Sequence, residues 1–156
     1  MTCQWTNEII DLGYQVTDSM AKDVFHDAVR KGLETEGWLI TDDPLRIKAG
    51  GVNMEIDLGA EKVIAAEREG EKIAVEIKSF IGASNISDFH TAVGQFLNYR
   101  VALEESQPQR ILYLAVPIGV YRRFFTLPFI QTIIQRFQII LIIYDPVDEV
   151  ILEWKN

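Results

Sequence analysis

Residues 70–80, GEKIAVEIKSF, constrain the fold of this chain more than any other stretch. Ile73, Val75 and Ile77 alternate with Ala74, Glu76 and Lys78. Side chains on a strand repeat every two residues, so the three branched residues share one face and the other three share the opposite face. A strand this apolar belongs in the middle of a sheet, yet its second face carries a carboxylate and an ammonium. Glu76 and Lys78 are then either an ion pair, the usual role of an isolated Glu-x-Lys, or half of a site for metal and phosphate chemistry.

The rest of the chain predicts the sheet and its cover. Val24, Phe25, Ala28, Val29 and Leu33 form a helical stripe over residues 20–36, stopped by Gly37. WLIT (38–41) reads as a short strand, and DDPLRIKAGG as a turn-rich connection. VNMEIDL, KVIAAERE and KIAVEIKSF follow as strands, the last two joined by a tight turn at Gly70. Ser87 caps a second helix running to about Glu104, with Phe89, Val93, Phe96 and Leu97 facing inward. RILYLAVP and QIILIIYDP read as buried strands, YRRFFTLPFIQTIIQRF as one or two helices around Pro128, and VILEWK as an edge strand. This order predicts one α/β domain, a mixed sheet with helices on its faces.

Composition narrows the function. At 156 residues and 48% hydrophobic content, the chain can bury a substantial core. One cysteine, Cys3, leaves no internal disulfide, which fits a reducing cytoplasm. No apolar run reaches membrane-spanning length, and the start lacks a signal-peptide pattern. A net charge of −8 argues against nucleic acid held on a broad basic surface, though not against a small metal-loaded pocket. Residues 1–19 carry Glu8, Asp11 and Asp18 but no Lys or Arg, and Met20 begins a natural domain start. They are expected to be an N-terminal extension, with Ile9, Ile10, Leu12 and Tyr14 docking on a domain spanning 20–156.

A metal site built on Glu76 needs a second acid. Asp57, closing MEID just before Gly59 loosens the chain, is the first candidate; Glu61 is the fallback and Glu67 a weaker one. A tight turn at Gly70 pairs Glu76 with Ala65, so a bulge within LGAE has to re-aim Asp57. On the second helix, Gln95 and Tyr99 are four apart and share a face, from which Gln95 can orient Lys78, a water or a phosphate. On the first helix, His26 and Glu34 fall roughly on one side and supply a further metal ligand, proton acceptor or phosphate contact. Each has a plainer role: Asp57 in a turn, Gln95 and Tyr99 on a polar helix face, His26 on a helix surface.

Taken in order, Asp57, then Glu76-Ile77-Lys78, then Gln95-Phe-Leu-Asn-Tyr99 resembles the PD-(D/E)XK nuclease superfamily, in the branch of RecB-type nuclease domains. Ile56 stands where the proline of that motif is found. A closer resemblance runs through MAKDVFHDAVRKGLETEGWLITDDPL, DLGAEKVIAAEREGEKIAVEIKSFIG and AVGQFLNYR, which are similar to the cyanobacterial XisH family, the fdxN element excision controlling factors. It implies a restriction-endonuclease-like fold in the cytoplasm and a part in the controlled excision of a DNA element. DNA, the companion protein XisI and a site-specific recombinase are the implied partners, with a homo-oligomer open. The resemblance to the nuclease superfamily implies a Mg²⁺- or Mn²⁺-dependent DNA endonuclease. Asp57, Glu76 and the Ile77 carbonyl would hold metal, Lys78 would orient the attacking water, and Gln95 and Tyr99 would support it. The rival class is a non-catalytic regulator that keeps the nuclease-like fold to bind DNA or partners, with Tyr121, Phe124, Phe125 and Phe129 as core or as a docking surface for XisI.

Overall fold

A computed structural model describes residues 18–62 and 70–156. The first predicted stripe folds as helix α1 (Asp18–Thr35), with Phe25, Ala28, Val29 and Leu33 buried. Gly37, at φ +92°, turns the chain out of the helix into strand β1 (Leu39–Asp42). Residues 1–17 of the expected extension, with its docking residues, and Glu67 and Ala65 lie outside the described residues, while Asp18 and Ser19 already belong to α1.

The stretch expected to be a connection is instead a hairpin. Strands β2 (Leu45–Ala49) and β3 (Val52–Ile56) pair antiparallel, with Ala49 opposite Val52. Gly50 and Gly51 take φ of +53° and +83°, the positive values a two-residue hairpin turn needs at both positions. Leu45 and Ile47 are buried while Arg46 and Lys48 are exposed, a period-two pattern that the neighbouring Pro44 and glycines obscured.

The chain then breaks at Asp57 and starts β4 (Leu58–Lys62), so VNMEIDL is two strands rather than one. β4 pairs with β5 (Glu71–Ile77) through Leu58↔Val75, Ala60↔Ile73 and Lys62↔Glu71. This register sets Asp57, not a residue beyond β4, next in line to Glu76, and the β4–β5 ladder carries no bulge. Register follows burial: this pairing places Leu58, Ala60, Ile73 and Val75 together in one core. Asp57 precedes Leu58 as Glu76 follows Val75, so a regular ladder brings the two acids to the same level.

Helix α2 (Asn85–Ser106) starts three residues earlier than a Ser87 cap implies. Its cap is Ser84, whose hydroxyl accepts a hydrogen bond from the Ser87 N–H at 3.3 Å. Strand β6 (Arg110–Pro117) leads into a helical turn, Ile118–Val120, that continues as one π-helical turn, Tyr121–Phe125. Helix α3 (Pro128–Arg136) begins with Pro128, whose missing N–H costs nothing in a first turn. Strands β7 (Leu141–Asp145) and β8 (Val150–Lys155) complete a six-stranded mixed sheet of order β1-β4-β5-β6-β7-β8. β5, β6 and β7 run parallel and the other neighbours antiparallel.

Each face of the sheet has its own core. α1 packs with Leu58, Ile73, Val75, Ala115, Ile142 and Tyr144. α2, α3 and the hairpin cover the opposite face, where Phe80, Phe89, Phe124 and Phe125 form an aromatic cluster with several edge-to-face pairs. Phe124 and Phe125 are thus core, Tyr121 stacks on Phe125, and Phe129 is 63% exposed. The buried Arg110 sits toward the start of β5. Its guanidinium donates to the Ile73 carbonyl at 2.8 Å and the Gln107 amide oxygen at 2.8 Å, with Asp42 and Glu61 each 4.0 Å away. Gly59 does not loosen the chain. A Cβ there would lie 2.9 Å from Asp42 Oδ2 and 3.2 Å from Arg110 Nη1, so glycine allows the close approach of β1, β4 and Arg110.

Candidate functional site

The parallel strand β5 ends where the first turns of α1 and α2 converge, the end of an open α/β sheet that typically carries function. A cavity of about 750 Å³ opens there, lined by Lys22 and His26 from α1, Asp43, Asp57, Glu76, Ile77, Lys78 and the segment after it, and Asp88 and Thr91 from α2. Glu76 is 5% exposed, on the face of β5 opposite Ile73 and Val75, as the period-two pattern requires. Its Oε1 lies 3.3 Å from Lys78 Nζ, so the ion pair does form. Its Oε2 is buried without a hydrogen-bond partner among the described residues. A buried oxygen left this way is costly unless a ligand completes it.

Asp57 is held at the same level. Its Oδ2 accepts the Ile77 N–H at 2.7 Å, replacing the ladder bond lost where the chain breaks between β3 and β4. Burial raises the Asp57 pKa above the usual carboxylate range, against the lowering effect of that hydrogen bond. Burial also pushes Glu76 up to about 7; the Asp57 charge adds to the rise and Lys78 opposes it. Two carboxylates that resist ionisation side by side, next to an orphaned oxygen, fit a hard divalent cation. Among the described residues no group of three or more His, Cys, Asp and Glu gathers to hold a metal. Asp57 and Glu76 would thus be the side-chain ligands, and the Ile77 carbonyl, water or substrate oxygens would fill the other positions. A Mg²⁺ site commonly has that composition.

The other expected residues divide. His26 lines the cavity, with Nε2 2.8 Å from Asp43 Oδ1. Glu34 does not reach it; its carboxylate pairs with Arg30 at 3.0 Å on the helix surface, two turns from His26. Glu61 also points elsewhere, pairing across the β4–β5 ladder with Lys72 at 3.2 Å. Gln95 and Tyr99 line a neighbouring groove between α2 and the β2–β3 hairpin. Gln95 Oε1 is buried without a partner among the described residues. Burial raises the Tyr99 phenol, and the Glu76 and Asp57 charges add to the shift.

Sequence reasoning passed over Asp43, Asp88, Lys22 and the segment Ser79–Gly82. Asp43 read as a turn residue before Pro44, yet it holds both His26 and Arg30. Lys22 stands one helical repeat before His26, the only local signal that it shares the same face.

A family model described as XisH protein matches residues 19–152. The chain is similar to the crystal structure of an XisH family protein from Nostoc punctiforme PCC 73102, at 53% identity and a TM-score of 0.78, covering 86% of this chain and 100% of that one. It is also similar to the crystal structure of an fdxN element excision controlling factor protein from Anabaena variabilis, at 51% identity and a TM-score of 0.78, covering 86% and 99%. No curated protein matches.

Proposed function

The chain belongs to the XisH family, and we propose that it is a metal-dependent DNA phosphodiester hydrolase of the PD-(D/E)XK type acting in the controlled excision of a DNA element. The observation that carries this reading is the orphaned, buried Oε2 of Glu76 beside Asp57 and Lys78, at the mouth of a cavity of about 750 Å³. Excision is the role printed for the Anabaena variabilis relative; XisI and a site-specific recombinase are the proposed partners.

A bound Mg²⁺ or Mn²⁺ supplies a more acidic water and polarises the phosphate. Asp57 and Glu76 set where the cation sits. The Ile77 N–H fixes Asp57, and Lys78, which lines the cavity, holds one Glu76 oxygen. Lys78 orients the attacking water and offsets charge growing on the phosphate oxygens. Gln95 and Tyr99 support this arrangement from the adjoining groove. His26, tied to Asp43, stands across the cavity as a phosphate contact or proton acceptor.

A second reading, a regulator that binds without cutting, is favoured by charge. The cavity is lined by Asp23, Asp43, Asp57, Glu76 and Asp88 against Lys22 and Lys78, in a chain of net charge −8. Such a pocket repels DNA unless cations occupy it. The test is cleavage of single-stranded, duplex and branched DNA by the chain with Mn²⁺, with and without its companion, alongside excision in cells. Glu76→Ala and Lys78→Ala are expected to abolish both. If no DNA form is cut and both variants still support excision, the hydrolase reading fails and the regulator stands.

A further inference from the structure

The segment after β5 plays no part in that mechanism, yet it is built with care. Ser79, Phe80, Ile81 and Gly82 line the same cavity as Glu76 and Lys78. The segment is clamped at both ends: the Lys78 N–H donates to the Ala115 carbonyl at 3.0 Å, and the Gly82 N–H donates to Asp88 Oδ2 at 3.1 Å. A Cβ at Gly82 would lie 2.6 Å from Asp88 Oδ1, so the second clamp requires glycine. Between the clamps Phe80 is 4% exposed, its ring edge-on to Phe125 at 5.3 Å. Anchoring that ring coincides with a Phe80 φ of +56°, a left-handed conformation that large residues rarely adopt.

This conformation leaves a row of donors unused. The backbone N–H groups of Ser79, Phe80 and Ile81 make no hydrogen bond among the described residues. Successive N–H groups around a left-handed residue form a concavity that suits an anion. Across the cavity, Lys22, His26 and Arg30 recur every four residues along one face of α1. Asp43 occupies His26 and Arg30, and Glu76 occupies Lys78. Lys22 has no ion pair among the described residues, so its charge is available at the rim. The opposing carboxylates are mostly committed: Asp57 and Glu76 to the proposed metal, Asp43 to His26 and Arg30, Asp88 to Gly82.

We propose that the N–H groups of Ser79–Ile81 together with Lys22 form a second phosphate subsite, which grips the backbone phosphate next to the one being cut. The substrate class is then a polynucleotide strand held at two phosphates, not a mononucleotide. This rests on the hydrolase reading for the place of the scissile phosphate.

The test uses the full chain carrying Glu76→Gln, which removes one repelling charge and leaves the strand uncut. It is ¹⁵N-labelled and titrated with a short oligothymidylate. The amides of Ser79, Phe80 and Ile81 should shift saturably. Adding Lys22→Ala should weaken binding about tenfold and reduce the slope of log affinity against log salt by about 0.7, the loss of one single-strand phosphate contact. Thymidine monophosphate should bind at least about tenfold more weakly than the oligonucleotide, since it engages one phosphate position and not two. Absence of oligonucleotide binding, binding that leaves those three amides unmoved, or a salt slope unchanged by Lys22→Ala would each overturn the subsite. Cleavage by the wild-type chain with Mn²⁺ is scored separately, so a wild type that cuts while the subsite test fails leaves the hydrolase reading intact.

Discussion

The middle of the β4–β5 ladder and the end of it beside Glu76 both bury charge, and they treat it oppositely. Toward the start of β5, the Arg110 guanidinium donates to Ile73 and Gln107, with Asp42 and Glu61 nearby and Glu61 itself paired with Lys72. At the far end, Glu76 has one oxygen on Lys78 and the other on nothing among the described residues, while burial and Asp57 press it toward neutrality. Charge that the protein satisfies by itself is architecture, because removing it only costs stability. Under the proposed reading, charge that is buried and left incomplete is held by the fold for a ligand. Substitutions at the two places should therefore separate stability from activity.

The largest effect is expected at Lys78. Lys78→Ala should lower the DNA cleavage rate by about 10²–10³-fold, the usual loss on removing one preorganised electrostatic group, beyond whatever the lost ion pair with the buried Glu76 costs in the urea midpoint. Wild-type cleavage by Lys78→Ala would make the Glu76 end architectural too. Next, Arg110→Ala should destabilise the fold by about 3 kcal/mol, because it strands the buried Ile73 carbonyl and removes a buried charge from its acceptors. Metal affinity should be unchanged in whatever fraction stays folded, and a loss of metal affinity equal to that of a Glu76 variant would merge the two places.

A pH titration sharpens the contrast. The folded Glu76 titrates at about 7 against an ordinary 4.5, so between those values the native state binds more protons than the unfolded state. The contribution is fully present below about 4.5 and is lost as pH rises through about 7, on the order of 3 kcal/mol in all. Urea midpoints should show this fall, and Glu76→Gln should reduce it, leaving the part that the raised Asp57 contributes. An undiminished slope in Glu76→Gln would assign the effect to another group. The smallest effect is at the helix cap beside the cavity: Ser84→Ala should cost about 1 kcal/mol, without altering metal affinity, as read by thermal denaturation and metal titration.

How much of this was legible in the sequence depended on distance along the chain. The period of β5, the stripe of α1 and the runs of β6 and β7 are local patterns, and each formed its element. The Glu76–Lys78 proximity was local as well, since alternate residues on a strand are neighbours on one face. The level of Asp57 was not, because the register depends on which apolar faces of β4 and β5 must meet. Hairpin β2–β3 was hidden by its own turn signals: Pro44 and two glycines flank only five residues of alternation on each strand. Glu34 and Glu61 were plausible by type, but each found a basic neighbour first. Asp43 and the Ser79–Ile81 donors were out of reach altogether, since tertiary packing and one left-handed residue create them.

The central claim is that the incomplete end of the ladder is completed by a divalent cation, and calorimetric titration of Mn²⁺ into the wild-type chain and Glu76→Gln at about pH 8 tests it most directly. The expected result is saturable binding by the wild type and at least about a hundredfold weaker binding by a Glu76→Gln chain that is equally or more stable to urea. Equal Mn²⁺ affinity in both chains, or no saturable binding by the wild type, would contradict the account.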